Sequence, residues 1–127
     1  MRKVLVVDDD TSILQLVRDL LAEYDIKDVL TVTTAKDAAI TYARTQDIDL
    51  VISDLGIGKE KGDVFHRNIR PLLEVRKTKF IVMSCRYTDD AIKYFAEQQI
   101  TCLDKTWISR TLPAALNLTH GDHHPFV

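Results

Sequence analysis

The sequence predicts an α/β domain, a (βα)5 doubly wound parallel sheet. Two observations predict it. Five short runs rich in apolar and β-branched residues alternate with stretches whose apolar residues recur at helical spacing, the pattern of strands joined by crossover helices. Three of the runs, at 4–7, 50–52 and 80–83, are also continuously apolar, as strands buried on both faces are.

The elements follow in order. Lys3-Val4-Leu5-Val6-Val7 is the first strand, and it stops at Asp8. Ile13, Leu16, Val17, Leu20 and Leu21 then fall at i, i+3, i+4, i+7 and i+8, an amphipathic helix. Asp10, Thr11 and Ser12 precede it and can cap its free amides, Asp10 above all. The second strand, 29–33, is more polar and is expected at an edge of the sheet. Ala35, Ala38, Ala39, Tyr42 and Ala43 repeat the helical spacing. Leu50-Val51-Ile52-Ser53 is the third strand and ends at Asp54.

A loop with Gly56, Gly58 and Gly62 comes next. It matches no dinucleotide or P-loop fingerprint, so its glycines read as loop flexibility. The third helix, 63–76, carries Phe65, Ile69, Leu72 and Leu73, with His66 expected on its solvated face. Pro71 lies inside it and is expected to kink or shorten it, because proline removes an i→i−4 bond. Phe80-Ile81-Val82-Met83 is the fourth strand and ends at Ser84. Ile92, Phe95 and Ala96 mark the fourth helix, and 101–104 is the fifth strand before Lys105. Ile108, Leu112, Ala115 and Leu116 mark the last helix. Residues 119–127, with His120, His123 and His124, show no periodicity and read as a flexible tail, so the domain is expected over 1–118.

Composition narrows the class. A chain of 127 residues, 46% hydrophobic and 28% charged, makes one domain whose core needs no disulfide or metal to fold. Seventeen basic residues against 19 acidic leave a net charge of −2, against a protein that coats nucleic acid. No apolar run approaches the ~20 residues of a membrane span. The apolar start runs straight into three aspartates, so it is not a signal peptide. Two cysteines, Cys85 and Cys102, are too few for a secreted disulfide scaffold. A soluble cytoplasmic domain with two buried thiols is expected, a redox pair at neighbouring strand ends being the less favoured alternative.

Functional groups of an open α/β sheet gather at the carboxyl ends of its strands. Those ends carry Asp8 and Asp9, Asp54, Ser84 and Lys105. A flavodoxin-like strand order, 2-1-3-4-5, puts the first and third strands side by side at the switch point. Three carboxylates in one pocket repel one another and call for a cation. Hard oxygen ligands suit Mg²⁺, which takes one or two protein carboxylates and keeps several waters. Asp54 can then act as a nucleophile that forms an acyl phosphate. The Ser84 hydroxyl and the Lys105 ammonium would bind the remaining phosphoryl oxygens.

At these residues the chain resembles the response regulator receiver domains of two-component signal transduction. The resemblance covers roughly 2–118 and rests on four elements in order. They are Val6-Val7-Asp8-Asp9-Asp10, Leu50-Val51-Ile52-Ser53-Asp54, Ile81-Val82-Met83-Ser84 and Leu103-Asp104-Lys105. It implies that Asp54 is the phosphoacceptor and that Asp8 and Asp9 hold Mg²⁺, with the Gly56 carbonyl as a backbone ligand. Ser84 matches the family's switch hydroxyl and Lys105 its lysine. The resemblance further implies a histidine kinase or phosphotransfer protein as donor. Output would pass to a protein partner through the face of the fourth helix, fifth strand and fifth helix, without direct contact to nucleic acid or membrane. Such a domain is a stand-alone signalling module, not an enzyme beyond its own phosphorylation and dephosphorylation.

Several positions depart from the family pattern. Cys102 stands three before the lysine, where an aromatic switch residue is common. Thr106 replaces the proline that usually follows the lysine, so the bond before it is free to be trans. Gly58 lies near the place of a common loop proline, Gln98-Gln99 replaces Gly-Ala, and Cys85 replaces a small residue. These changes leave the acceptor chemistry whole. They remove the ring that usually turns inward, so a switch is expected to run through Ser84 and the loop after the fourth strand.

Two other functions compete. A pseudo-receiver would keep the fold for protein binding with an altered switch, as the changes at Cys102 and Thr106 allow. A haloacid-dehalogenase-like phosphatase would use Asp8 as nucleophile, since Asp8-Asp9-Asp10-Thr11-Ser12 loosely fits that family's opening motif. Its lysine, however, should precede a final acidic pair, whereas Lys105 follows Asp89-Asp90.

Overall fold

The computed structural model describes residues 3–58 and 60–118. The tail read at 119–127, with its three histidines, lies outside the described residues. Five strands form one parallel sheet: β1 (Lys3–Val7), β2 (Asp28–Val32), β3 (Ile48–Asp54), β6 (Lys79–Ser84) and β7 (Thr101–Asp104). Their order is β2-β1-β3-β6-β7, so the first and third strands are neighbours and β2 is an edge strand, as the sequence predicts. The numbering skips because β4 (Gly56–Ile57) and β5 (Glu60–Lys61) make a two-stranded antiparallel hairpin in the glycine loop, which periodicity did not reveal. Gly58 turns that hairpin at a φ of +62°, a conformation glycine takes without a Cβ penalty.

Side chains alternate across the sheet and build two cores. Val4, Val6, Leu50, Ile52, Ile81, Met83 and Leu103 face one side. There they meet α1 (Thr11–Ala22) through Leu14, Val17, Leu20 and Leu21, and α5 (Ile108–Ala115) through Ile108 and Leu112. Leu5, Val7, Val51, Phe80 and Val82 face the other side. They pack on α2 (Ala35–Arg44), α3 (Gly62–Arg76) and α4 (Asp89–Glu97) through Ala38, Tyr42, Phe65, Ile69, Leu73 and Phe95. Burial on both faces is why these strands read as unbroken apolar runs.

Local signals set the helix ends. Asp10 caps α1 by accepting from the Ser12 amide at 2.9 Å, and Thr34 and Thr88 cap α2 and α4 the same way. Pro71 neither ends nor shortens α3, which runs on to Arg76. Pro71 and Arg67 both lie on the exposed face, where the carbonyl that loses its partner can turn to water. The buried face of α4 is Ala91 and Phe95, while Ile92 and Ala96 point outward, a rotation from the spacing read in sequence. Leu16 of α1 is also exposed, and Leu14 takes the core place beside Val17. No helix among the described residues is long and apolar enough to cross a membrane.

Candidate functional site

The carboxyl ends of β1, β3 and β7 bring four side chains together. Asp8 follows β1 and is fully buried, Asp54 ends β3 at 6% exposure, and Asp9 is exposed at the rim. Carboxylate oxygens of the three lie within 4.8 Å of one another. Lys105 follows β7 as the first residue of a short 3-10 turn, Lys105–Trp107, which Asp104 caps by accepting from the Thr106 amide. The Lys105 Nζ stands 2.7 Å from Oδ2 of Asp8 and 2.9 Å from Oδ1 of Asp54.

Strand parity explains the grouping. Asp8 follows Val4 and Val6, Asp54 follows Leu50 and Ile52, and Lys105 follows Leu103 at two-residue steps, all on the α1/α5 side of the sheet. Ser84 follows Phe80 and Val82, which face the other side. Ser84 is therefore at the same rim without joining the cluster. Its hydroxyl donates to the Arg86 carbonyl at 2.6 Å and accepts from the Arg86 amide at 3.1 Å. Gly56 opens the hairpin two residues after Asp54 and is exposed.

The electrostatics of the cluster are unbalanced. Three carboxylates face one ammonium, an excess of two negative charges. Burial pushes the Asp8 carboxyl above the usual carboxylate range, although Lys105 and the Asp10 amide pull it down. Burial also works against the charge on Lys105, but its contacts with Asp8 and Asp54 outweigh burial and hold the ammonium above its ordinary value. Oδ1 of Asp8 accepts from the Asp10 amide at 2.9 Å, while the buried Oδ2 has the Lys105 ammonium and, among the described residues, no other partner. A double negative excess with hard oxygen donors fits one divalent cation such as Mg²⁺.

Three neighbouring features escaped the sequence. Gly62, read as loop flexibility, is instead a close contact: a Cβ there would stand 2.5 Å from the Asp54 carbonyl oxygen. Tyr87, in the loop after β6, donates its hydroxyl toward the carbonyls of Leu103 and Val82, and burial pushes that phenol well above its ordinary value. His66 is buried at 3% exposure, not solvated. It lies three before Ile69 and seven before Leu73, so the helical period already placed it on the core face, and only its polarity hid it.

The cysteines correct two expectations. Both thiols are exposed and free. Cys102 pairs in register with Val82, three positions before Cys85, a separation of about 10 Å along the strands. A disulfide needs Cα atoms within ~7 Å, so strand register keeps the two apart. The peptide bond before Thr106 is trans, in keeping with the loss of proline there.

No curated protein matches the chain. Among solved structures, chemotaxis protein CheY4 of Vibrio cholerae superposes with a TM-score of 0.78 at 24% identity, over 92% of this chain and 97% of that one. A response regulator receiver domain protein from Clostridium thermocellum gives 0.74 at 28% identity, over 92% of each chain. A response regulator protein from Burkholderia pseudomallei, solved with a phosphorylated aspartic acid, a calcium ion and citrate, gives 0.75 at 18% identity over 91% of this chain and 66% of that one. The family model for the response regulator receiver domain matches residues 4–117. With that match spanning the sheet and every strand end at the acidic rim, the chain belongs to the response regulator receiver domain family.

Proposed function

We propose that the chain accepts a phosphoryl group on Asp54 from a histidine kinase or phosphotransfer protein, with Mg²⁺ held by Asp8, Asp9 and Asp54 and by the Gly56 carbonyl. The observation that carries the reading is the place of Asp54. It ends the central strand β3, has two more carboxylates within 4.8 Å, and has the Lys105 ammonium at 2.9 Å.

The chemistry follows from those groups. Lys105 engages Oδ1, which leaves Oδ2 of Asp54 as the oxygen to attack. A new O–P bond forms as the donor's P–N bond breaks, and the departing imidazole keeps the electron pair and takes up a proton. Lys105 then binds a phosphoryl oxygen, and the Ser84 hydroxyl donates to another once it turns from Arg86. A divalent cation held by Asp8, Asp9 and Asp54 would supply charge neutralisation for the phosphoryl oxygens. Asp8 is unsuited to the phosphatase reading, since its carboxylate is fully buried and held by Lys105.

The output surface in this reading is the face of α4, β7 and α5, where Ile92, Cys102 and Trp107 are exposed to a protein partner. A cytoplasmic setting, in which exposed thiols stay reduced, goes with it. The domain spans 1–118. The test is incubation with a small phosphodonor and Mg²⁺, read by intact mass. One phosphoryl group should be added, and Asp54→Ala should abolish the addition. Equal labelling of that variant would overturn the assignment.

A further inference from the structure

The family's inward-turning ring is missing at Cys102, yet a ring occupies the neighbouring space from another element. Tyr87 belongs to the loop between β6 and α4, and its ring packs partly on the α2–α4 core. Its hydroxyl reaches the carbonyl of Leu103, the residue after Cys102, and also lies 3.3 Å from the carbonyl of Val82. One phenol, its single proton given chiefly to the nearer Leu103 carbonyl and shared only weakly with Val82, therefore bridges β7 two residues before Lys105 and β6 two residues before Ser84.

The same loop is pinned by Ser84. A hydroxyl carries one proton. In this structure Ser84 spends it on the Arg86 carbonyl, one residue before Tyr87. A phosphoryl oxygen on Asp54 competes for that proton, because Ser84 cannot donate to both. Turning the hydroxyl toward Asp54 gives up both of its bonds to Arg86, the donation to the carbonyl and the acceptance from the amide, and so unpins the backbone of this exposed residue. The backbone it frees is the segment carrying Tyr87. Ser84 and Tyr87 thus lie in series, with Arg86 as the link.

We infer that Tyr87 is the switch ring of this chain: transfer of the Ser84 hydroxyl from the Arg86 carbonyl to the acceptor site releases the Tyr87 clasp on Leu103 and Val82. The inference rests on the proposed phosphoacceptor reading and adds the route by which Asp54 reaches the β7 edge. No bond is made or broken beyond the exchange of hydrogen bonds. The affected edge includes Cys102 and leads into Trp107, both exposed, so the change reaches the surface assigned to a partner.

The test uses the full chain, uniformly labelled, and the backbone carbonyl resonances of Leu103 and Val82. Tyr87→Phe keeps the ring and removes the clasp, so its spectrum marks where the unclasped carbonyls resonate. Wild-type protein shown by mass to carry one phosphoryl group should move both resonances toward those marks. Ser84→Ala, without any phosphodonor, should move them part of the way, because the Arg86 carbonyl has already lost its donor. That arm needs no phosphorylation and separates this inference from the function it rests on. Resonances unmoved in phosphorylated wild type, or unmoved in Ser84→Ala, overturn the clasp and leave the acceptor assignment standing. Failure to add phosphate to Asp54, by contrast, overturns the acceptor assignment and the phosphorylation-driven switch together.

Discussion

Lys105 holds its ammonium 2.7 Å from a fully buried oxygen of Asp8, at the end of a strand three places away in the sheet, while touching Asp54 on β3, one of the two strands between. One side chain thus braces three strand ends. Lys105→Met keeps the stem and removes the charge. Breaking one side of a buried pair costs ~3–5 kcal/mol, and the low end is expected here because the Lys105 side chain keeps 13% exposure and water can enter. Urea denaturation without divalent cations should show that loss, and added Mg²⁺ should recover part of it by binding only the folded state. A variant as stable as wild type without Mg²⁺ would show that the pair contributes nothing.

Asp9 gives a cleaner probe of the cation, because it is exposed and its truncation leaves both cores intact. A ligand at 100 times its dissociation constant stabilises the native state by ~2.7 kcal/mol. For a domain of this size that is a rise in thermal midpoint of roughly 10 °C. Wild type should climb with Mg²⁺ by about that amount, and Asp9→Ala should lose most of the climb. Parallel climbs in both proteins would remove Asp9 from the cation site.

Gly62 starts α3 directly against the acceptor's backbone. A Cβ there meets the Asp54 carbonyl at 2.5 Å and Leu55 backbone atoms at 3.0 Å, and neither is a flexible side-chain tip that can swing aside. Gly62→Ala is expected to cost ~1–3 kcal/mol, the range for forcing extra volume into a packed site. It should also slow phosphorylation of Asp54, since the strand end must shift. Gly56→Ala meets nothing within 4 Å and should stay within about 0.5 kcal/mol of wild type in the same denaturation series. Equal stabilities for the two variants would refute the close-contact account.

Much of this was legible because the governing signals are local. The runs at 4–7, 50–52 and 80–83 report burial on both faces, which only a sheet covered by helices provides. The rim site was legible for the same reason, since strand ends are local and a parallel sheet sends them all to one side. What stayed hidden depends on three-dimensional register or on a polar residue in an apolar place. The distance between Cys85 and Cys102 needs the pairing of Val82 with Cys102. The diversion of Ser84 needs strand parity, and the reach of Tyr87 needs the spacing of two strands that are far apart in sequence. His66 shares its helix face with Ile69 and Leu73, but nothing in a lone histidine announces burial.

That histidine sets an acid limit on stability. Its Nδ1 lies 2.7 Å from the Tyr94 hydroxyl and its ring meets Phe80 edge-on at 4.7 Å. Burial first, then the charges of Arg70 and Arg67, hold its pKa down at about 4 against an ordinary 6.5. Between those values the unfolded chain takes up a proton that the native state refuses, so stability rises with pH. The contribution is complete above about pH 6.5 and is lost as pH falls toward 4, in total on the order of 3 kcal/mol. Asp8, raised by burial, works in the opposite sense as pH falls, so wild type must be compared with a variant that keeps Asp8. His66→Phe fills the same aromatic nest without a titrating group and gives up the bond to Tyr94, worth ~1 kcal/mol at any pH. Denaturation midpoints taken from pH 7 to pH 4 should fall more steeply for wild type than for His66→Phe, with the two curves converging or crossing at the acid end. Parallel curves would place the acid sensitivity elsewhere than His66.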